Sequence, residues 1–267
     1  FKQKTAYEML RSLVGSEMCI RDRVTPGLEL VMREEVILMA SQMLPLPDAN
    51  HACRLRCSPQ RAEELIEEIG TYYAARGLPA TVYTSPACTP ADLGERLTAH
   101  GYLRQEGLEA WLVLDSVARL PLPAAPAGVS VRRIEAGEAA TFAQVFLAAF
   151  EMPLVFAPVL ADYLEPSLSL PGSVHYLAEV DGTPVGTLSL LTDQSIGILG
   201  SAGVLPTHRR RRALTALAVA ALGEARRRGV ETLIVQTSAD TPLERFLRIS
   251  GFRRAFTRAC YVLPWAD

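Results

Sequence analysis

The chain has 267 residues, 49% of them hydrophobic and 21% charged, with a formal net charge of −2. That length and composition can bury one large core or two small ones without staples, and the balanced charge excludes a global positive field for nucleic acid or anionic lipid. The cysteines (Cys19, Cys53, Cys57, Cys88 and Cys260) are too scattered for a disulfide framework, and Cys53, Cys57 and His51 fall one ligand short of a zinc site, so reduced thiols in a cytoplasmic compartment and no metal are expected.

The opening run FKQKTAYEMLRSLVGSEMCIRDR lacks the continuous apolar segment of a secretory signal and reads like adapter sequence joined to a gene. Residues 1–23 are therefore expected to be a non-native or loosely ordered leader. No later stretch approaches the roughly eighteen apolar residues of a membrane span. Residues 24–117 read as a first α/β unit. CSPQRAEELIEEIG predicts a helix with Ser58 as N-cap and Pro59 in its first turn, and Glu63 and Glu64 there would repel phosphate. The helix stops at Arg76-Gly77 and a strand follows in TVYT. Thr89-Pro90 then opens a short helix ending at Gly101-Tyr102, and a long strand around Trp111 closes the unit. His100 reads as a cap at that helix end. The proline-rich ARLPLPAAPAGVS has no amphipathic period and marks a stiff linker at 118–128.

Residues 129–267 read as a second unit. Strand VSVRRI leads into helix EAGEAATFAQVFLAAF and a helix around PVLADYL. Strands VHYLAEVD, TPVGTLSLLT and SIGILGSAGVLP follow, with a tight turn at Asp181-Gly182. Next comes an alanine-rich helix headed by four arginines, then strand TLIV, a helix start at Thr241-Pro242, and a last long strand after Gly251-Phe252. This ending echoes the first unit: Gly77 falls on Gly229, Val82 on Ile234 and Thr89-Pro90 on Thr241-Pro242. After a short indel, Gly101-Tyr102 falls on Gly251-Phe252 and Trp111 on Tyr261. Two related units in tandem are expected, an α/β fold with a twisted mixed sheet flanked by helices.

The first turn of a helix is already the positive end of its dipole, so arginines there gain nothing from the helix and imply an anion outside it, most simply a phosphate. Arg226 to Arg228, in the last turn of the same helix, need only the dipole as explanation. Gly200, Ala202 and Gly203 are small enough for a bulge or for close approach of another backbone.

Val204-Leu205-Pro206 followed by Arg209 at a helix start, with Phe246-Leu247-Arg248-Ile249-Ser250-Gly251-Phe252 further on, resembles the motif pair of the GCN5-related N-acetyltransferase (GNAT) superfamily. The resemblance runs from about Val129 to Leu263, and the first unit looks like a degenerate copy. It implies a tandem acyl-CoA N-acyltransferase fold and acetyl-CoA as acyl donor. It places the pantetheine arm on the backbone of Ala202, Gly203 and Val204, whose N–H would meet the oxyanion. The pyrophosphate falls to the segment Arg209, Arg210, Arg211, Arg212, Ala213, Leu214 and Thr215, with His208 beside it. The acceptor would be a small-molecule or peptide amine, its base drawn from Glu151, Asp162, His175 and Asp193.

Two departures stand out. Arg212 and Leu214 occupy the family's small-residue positions, and Leu247 occupies the place of the tyrosine that protonates the departing thiolate. The general acid is thus left open among Ser238, Asp240, Tyr261 and water. The expectation is an N-acetyltransferase, monomer or homodimer, with no nucleic-acid or membrane partner and a structural first unit. The alternative is a catalytically impaired protein that binds CoA or acyl-CoA as a sensor or scaffold.

Overall fold

A computed structural model describes residues 27–264 apart from 45, 46 and 48, so the leader expected at 1–23, with Cys19, lies outside the described residues. The spatial units do not follow the boundaries expected near 117 and 129. One comprises Gly27–Leu112 together with the stretch beginning at Gln236, the other Val113–Val235.

The first unit contains β1 (Glu29–Met32), β2 (Ile37–Ala40), β3 (His51–Cys53), α1 (Ala62–Ala74), β4 (Ala80–Thr84), α2 (Leu93–Ala99), β5 (Leu103–Arg104) and most of β6 (Glu109–Asp115). From the C-terminal stretch it takes α6 (Pro242–Ile249) and β12 (Arg253–Leu263). Its sheet order is β1-β2-β3-β4-β12-β6, with β5 also pairing with β12. β12, expected to close the second unit, instead runs antiparallel to β4 with Tyr261 opposite Val82. Leu65, Ile66, Ile69 and Tyr73 form one apolar stripe of α1 and pack with Leu38, Val82, Leu97 and Tyr261 into a single core. The Tyr73 hydroxyl, buried in that core, donates to the Met39 carbonyl at 2.8 Å. Arg258 of β12 is buried between the rings of Tyr83 and Trp111 and pairs with Glu109 of β6.

Two helix starts differ from expectation. α1 begins three residues later than its Ser58 signal, because the Ser58 carbonyl accepts from Arg61 N–H and closes a turn ahead of the helix, leaving Arg61 as N-cap. Thr89 does not cap α2, whose N-cap is Asp92. Thr89 is spent elsewhere: its hydroxyl donates to the Cys57 carbonyl at 3.2 Å and its own carbonyl accepts the Cys57 N–H. In the second copy the expectation holds, with the Thr241 hydroxyl accepting from Glu244 N–H at 3.3 Å ahead of Pro242.

The unit Val113–Val235 contains β7 (Ser130–Arg133), α3 (Ala139–Ala149), α4 (Ala157–Leu164), β8 (Ser173–Val180), β9 (Thr183–Asp193), β10 (Ile196–Val204), α5 (Ala213–Arg227) and the start of β11 (Thr232–Ser238). The strands lie side by side in chain order, antiparallel from β7 to β10, with β11 parallel to β10. Asp181 and Gly182 both take positive φ, 50° and 75°, as a tight hairpin turn requires. Glu224, buried on α5, is held by Arg133, Arg227 and Arg228. Burial pushes its carboxyl up, but the three guanidinium groups outweigh that and keep it below the ordinary range. Arg227 and Arg228 are therefore structural partners as well as dipole complements. No helix among the described residues is long and apolar enough to cross a membrane.

Candidate functional site

The features that set this site begin in β10. Its antiparallel ladder with β9 runs regularly from Ile196 to Gly200, then shifts register before Gly203↔Thr187 resumes. Ser201, between them, has φ 50°, so the strand bulges where small residues predicted it. The Thr187 hydroxyl, fully buried on β9, donates to the Ser201 carbonyl at 2.7 Å and locks the bulge. On the other side, the parallel ladder with β11 covers only Ile196↔Thr232 to Leu199↔Val235, while β10 itself runs on to Val204. Gly203 is a close approach: a Cβ there would fall 2.8 Å from the Phe150 ring and 2.9 Å from the Ala149 Cβ. Ala202, Gly203 and Val204 thus lie on the bulged, parting end of the strand.

Beyond Val204 a 3-10 turn at Pro206–His208 leads into the arginines, which precede α5 as a loop and do not occupy its first turn. Arg210 and Arg212 have φ of 71° and 61°. Arg212 is the N-cap of α5 and offers no side-chain hydrogen bond, so the N–H groups of Ala213, Leu214 and Thr215 open the helix without a side-chain cap. The left-handed backbone at Arg212 explains why glycine suits this position in the resembled motif, since the turn geometry is kept although the side chain is not.

The four arginines do not act alike. The Arg209 guanidinium donates to the Ala149 carbonyl at the end of α3 at 3.0 Å and lies 3.8 Å from Glu151. Arg210, Arg211 and Arg212 are exposed, and among the described residues no ion pair or side-chain hydrogen bond engages them. Elsewhere Arg61, Arg76, Arg96, Arg132, Arg228 and Arg254 each meet a carboxylate. His208 Nδ1 lies 2.9 Å from the Thr207 hydroxyl.

The candidate bases separate. His175 on β8 is buried, its Nε2 within 2.9 Å of Ser167 Oγ and 2.7 Å of Ser173 Oγ, and its Nδ1 2.7 Å from Ser189 Oγ. Burial pulls its pKa down to about 4. Ser167 gives its proton to the Leu164 carbonyl at 2.6 Å, so Nε2 is assigned as the donor to Ser167 and Nδ1 as the acceptor from Ser189. A neutral imidazole saturated by three serines is a core group, and it has no spare lone pair for a substrate proton. Glu151 and Asp162 are exposed, on the α3–α4 connection and on α4, and Asp193 closes β9.

In the first unit, Leu247 lies half-buried on α6 and has no proton to give. Asp240 pairs with Arg254 at 2.7 Å, and Tyr261 sits in the core under α2, where a Cβ on Gly94 would collide with its hydroxyl. A cavity of about 540 Å³ in that unit is lined by Thr84, Ser85, Cys88, Asp92, Glu95 and Tyr261, a set whose carboxylates disfavour a diphosphate. His100 pairs with Glu63 on α1, a partner the capping signal did not suggest. No group of three or more potential metal ligands occurs among the described residues.

The mixed sheet, with helices on its faces and a bulged strand running into a helix start, is a fold shared with solved N-acetyltransferase structures. Residues 142–252 match the model of the Acetyltransferase (GNAT) family. A GCN5-related N-acetyltransferase from Kribbella flavida shares the fold over 99% of this chain and 97% of its own, with 17% identity and a TM-score of 0.73. A tandem GNAT protein from the clavulanic acid biosynthesis pathway does so over 94% of this chain and 88% of its own, with 18% identity and a TM-score of 0.63. A GCN5-related N-acetyltransferase from Sphaerobacter thermophilus covers 94% and 87%, with 20% identity and a TM-score of 0.61. No curated protein matches the sequence.

Proposed function

We propose that the chain transfers the acetyl group of acetyl-CoA to the amine of a small molecule or peptide. The observation that carries this reading is the uncapped start of α5 behind three unengaged arginines, at the foot of a strand bulged away from its ladder. Free N–H groups, the positive dipole end and guanidinium groups together suit a pyrophosphate. On the side where the β11 ladder has ended, the backbone of Ala202 to Val204 suits the amides of a pantetheine arm. In the reaction the neutral amine attacks the thioester carbonyl carbon, the C–N bond forms, the C–S bond breaks, and the amine proton goes to solvent or an exposed carboxylate. No protein acid is required at the sulfur, since a thiol with pKa near about 8.5 leaves as thiolate and takes a proton from water. A backbone N–H near Val204 would receive the developing oxyanion. The protein would work in the cytoplasm as a monomer or homodimer.

Release of free thiol from acetyl-CoA across an amine panel, with calorimetric binding of CoA, tests the proposal. No heat at millimolar CoA on folded protein would overturn it. Leu247, in place of a proton donor, favours a second reading as a CoA-binding sensor, for which binding without thiol release in any amine is the signature.

A further inference from the structure

The cavity of about 540 Å³ in the first unit is assembled from both ends of the chain. β4, α2 and the segment joining them supply most of its lining, and β12 brings in Tyr261. The register Ala259↔Thr84 and Tyr261↔Val82 sets Thr84 and Tyr261 on one face of the paired strands, the face that Leu93 and Leu97 of α2 cover. Tyr261 is only 8% accessible, yet its hydroxyl forms no hydrogen bond among the described residues. Gly94, also in the lining, leaves that hydroxyl its room, because a Cβ there would collide with it. A tyrosine hydroxyl buried this deeply normally has a partner, so its partner here is something that enters the cavity.

Two further groups of the lining are unengaged among the described residues: the half-buried Thr84 hydroxyl and the exposed Glu95 carboxylate, which meets no cation. The other polar groups are spent. Arg96, the one cation of α2, holds Asp92 and Glu63. Ser85 and Cys88 close a turn on each other, and Thr98 donates to the Gly94 carbonyl at 2.9 Å. No lysine, arginine or histidine lines the cavity, so an anionic ligand would meet only carboxylates there.

The geometry points to a second binding site, for a small organic cation that carries several hydroxyl groups. Glu95 takes the ammonium group, while Tyr261 and Thr84 exchange hydrogen bonds with hydroxyls further along the ligand. The cavity has the size of a small-molecule site, about 300–1,000 Å³. The inference stands apart from the acyl-transfer reading, and it gives the unit expected to be structural a ligand of its own.

The test titrates glucamine, an open-chain amino polyol, into the full chain by calorimetry without CoA. Glucitol, with a hydroxyl in place of the ammonium group, and hexylamine, with no hydroxyls, are the comparisons. Glucamine should bind at least about tenfold more tightly than either, with its lead over glucitol shrinking as salt rises. Glu95→Gln should bring glucamine to the level of glucitol. Tyr261→Phe, which keeps the ring, should weaken glucamine by about three- to tenfold. Thermal melting checks both variants, and Glu95→Gln, on an exposed side chain, decides the matter if Tyr261→Phe does not fold. Four results overturn the inference: no heat with glucamine, equal affinity for glucamine and glucitol, hexylamine binding as tightly as glucamine, or glucamine affinity unmoved by Glu95→Gln. The last would place the amine elsewhere on the chain.

Discussion

Arg212 holds φ at 61°, a conformation that costs an L-residue about 1–2 kcal/mol and that glycine adopts freely. Substitutions there should rank by backbone cost: Arg212→Gly melts no lower than wild type, and Arg212→Val is less stable than the glycine variant by about 1–2 kcal/mol in urea titrations. Arg210→Ala and Arg211→Ala remove exposed, unengaged cations, so each should weaken CoA binding by about 1–3 kcal/mol, with the loss shrinking as salt rises. Arg209→Ala acts differently, because its guanidinium holds the end of α3; its main effect should be a looser loop, read as faster amide exchange around Ala149.

His175 gives a pH signature. Its folded pKa lies at about 4, below the ordinary 6.5, so below pH 6.5 the unfolded chain takes up a proton that the folded one refuses. Stability is complete above that pH and declines as pH falls towards 4, by about 3 kcal/mol in all. The groups facing the ring are the hydroxyls of Ser167, Ser173 and Ser189 and the Phe142 ring, and none of them is charged. His175→Gln should flatten that segment of the melting-temperature profile, and an unchanged profile would place the titration elsewhere. The resemblance placed His175 among possible bases because the matching segment lines the acceptor pocket in that family. Three serines from separate segments make it a core residue, and no local pattern announces their convergence.

At the scale of elements, the bulge is the feature the sequence disclosed best. Gly200, Ala202 and Gly203 marked a bulge or a close approach of another backbone, and the register shift falls among them. What they could not disclose was the lock, since Thr187 reaches Ser201 from another strand. Thr187→Val keeps shape and removes the hydroxyl, leaving a bulge carbonyl unsatisfied; it should cost about 1–3 kcal/mol of stability and weaken CoA binding, measured by denaturant melts and calorimetry. The two Thr-Pro signals show the limit of local chemistry. Thr241-Pro242 caps its helix, while Thr89-Pro90, identical in type, is diverted by Cys57, and only long-range contacts distinguish them.

For the whole molecule, the internal echo was legible and its spatial outcome was not. Trp111 and Tyr261 correspond in sequence, yet the strands bearing them, β6 and β12, both belong to the sheet of the first unit, and β12 is the one that joins β4. Two copies with like patterns of apolar residues offer like edges, and periodicity cannot say which edge a strand will choose. A chain ending at residue 128 therefore lacks the neighbour of β4 and the core side chains Tyr261 and Leu263. It should fail to give a cooperative melt, and a peptide of residues 250–264 added in trans should restore one; a cooperative melt of the fragment alone would refute the dependence.

That arrangement has a cost during synthesis. β4 emerges from the ribosome far ahead of the strand that will shield it, and at ordinary elongation rates its open edge waits on the order of ten seconds. Throughout that interval the nascent half presents an unfinished ladder to other polypeptides, so its yield in the cell should depend on how crowded the translating message is and on which holding factors attend it.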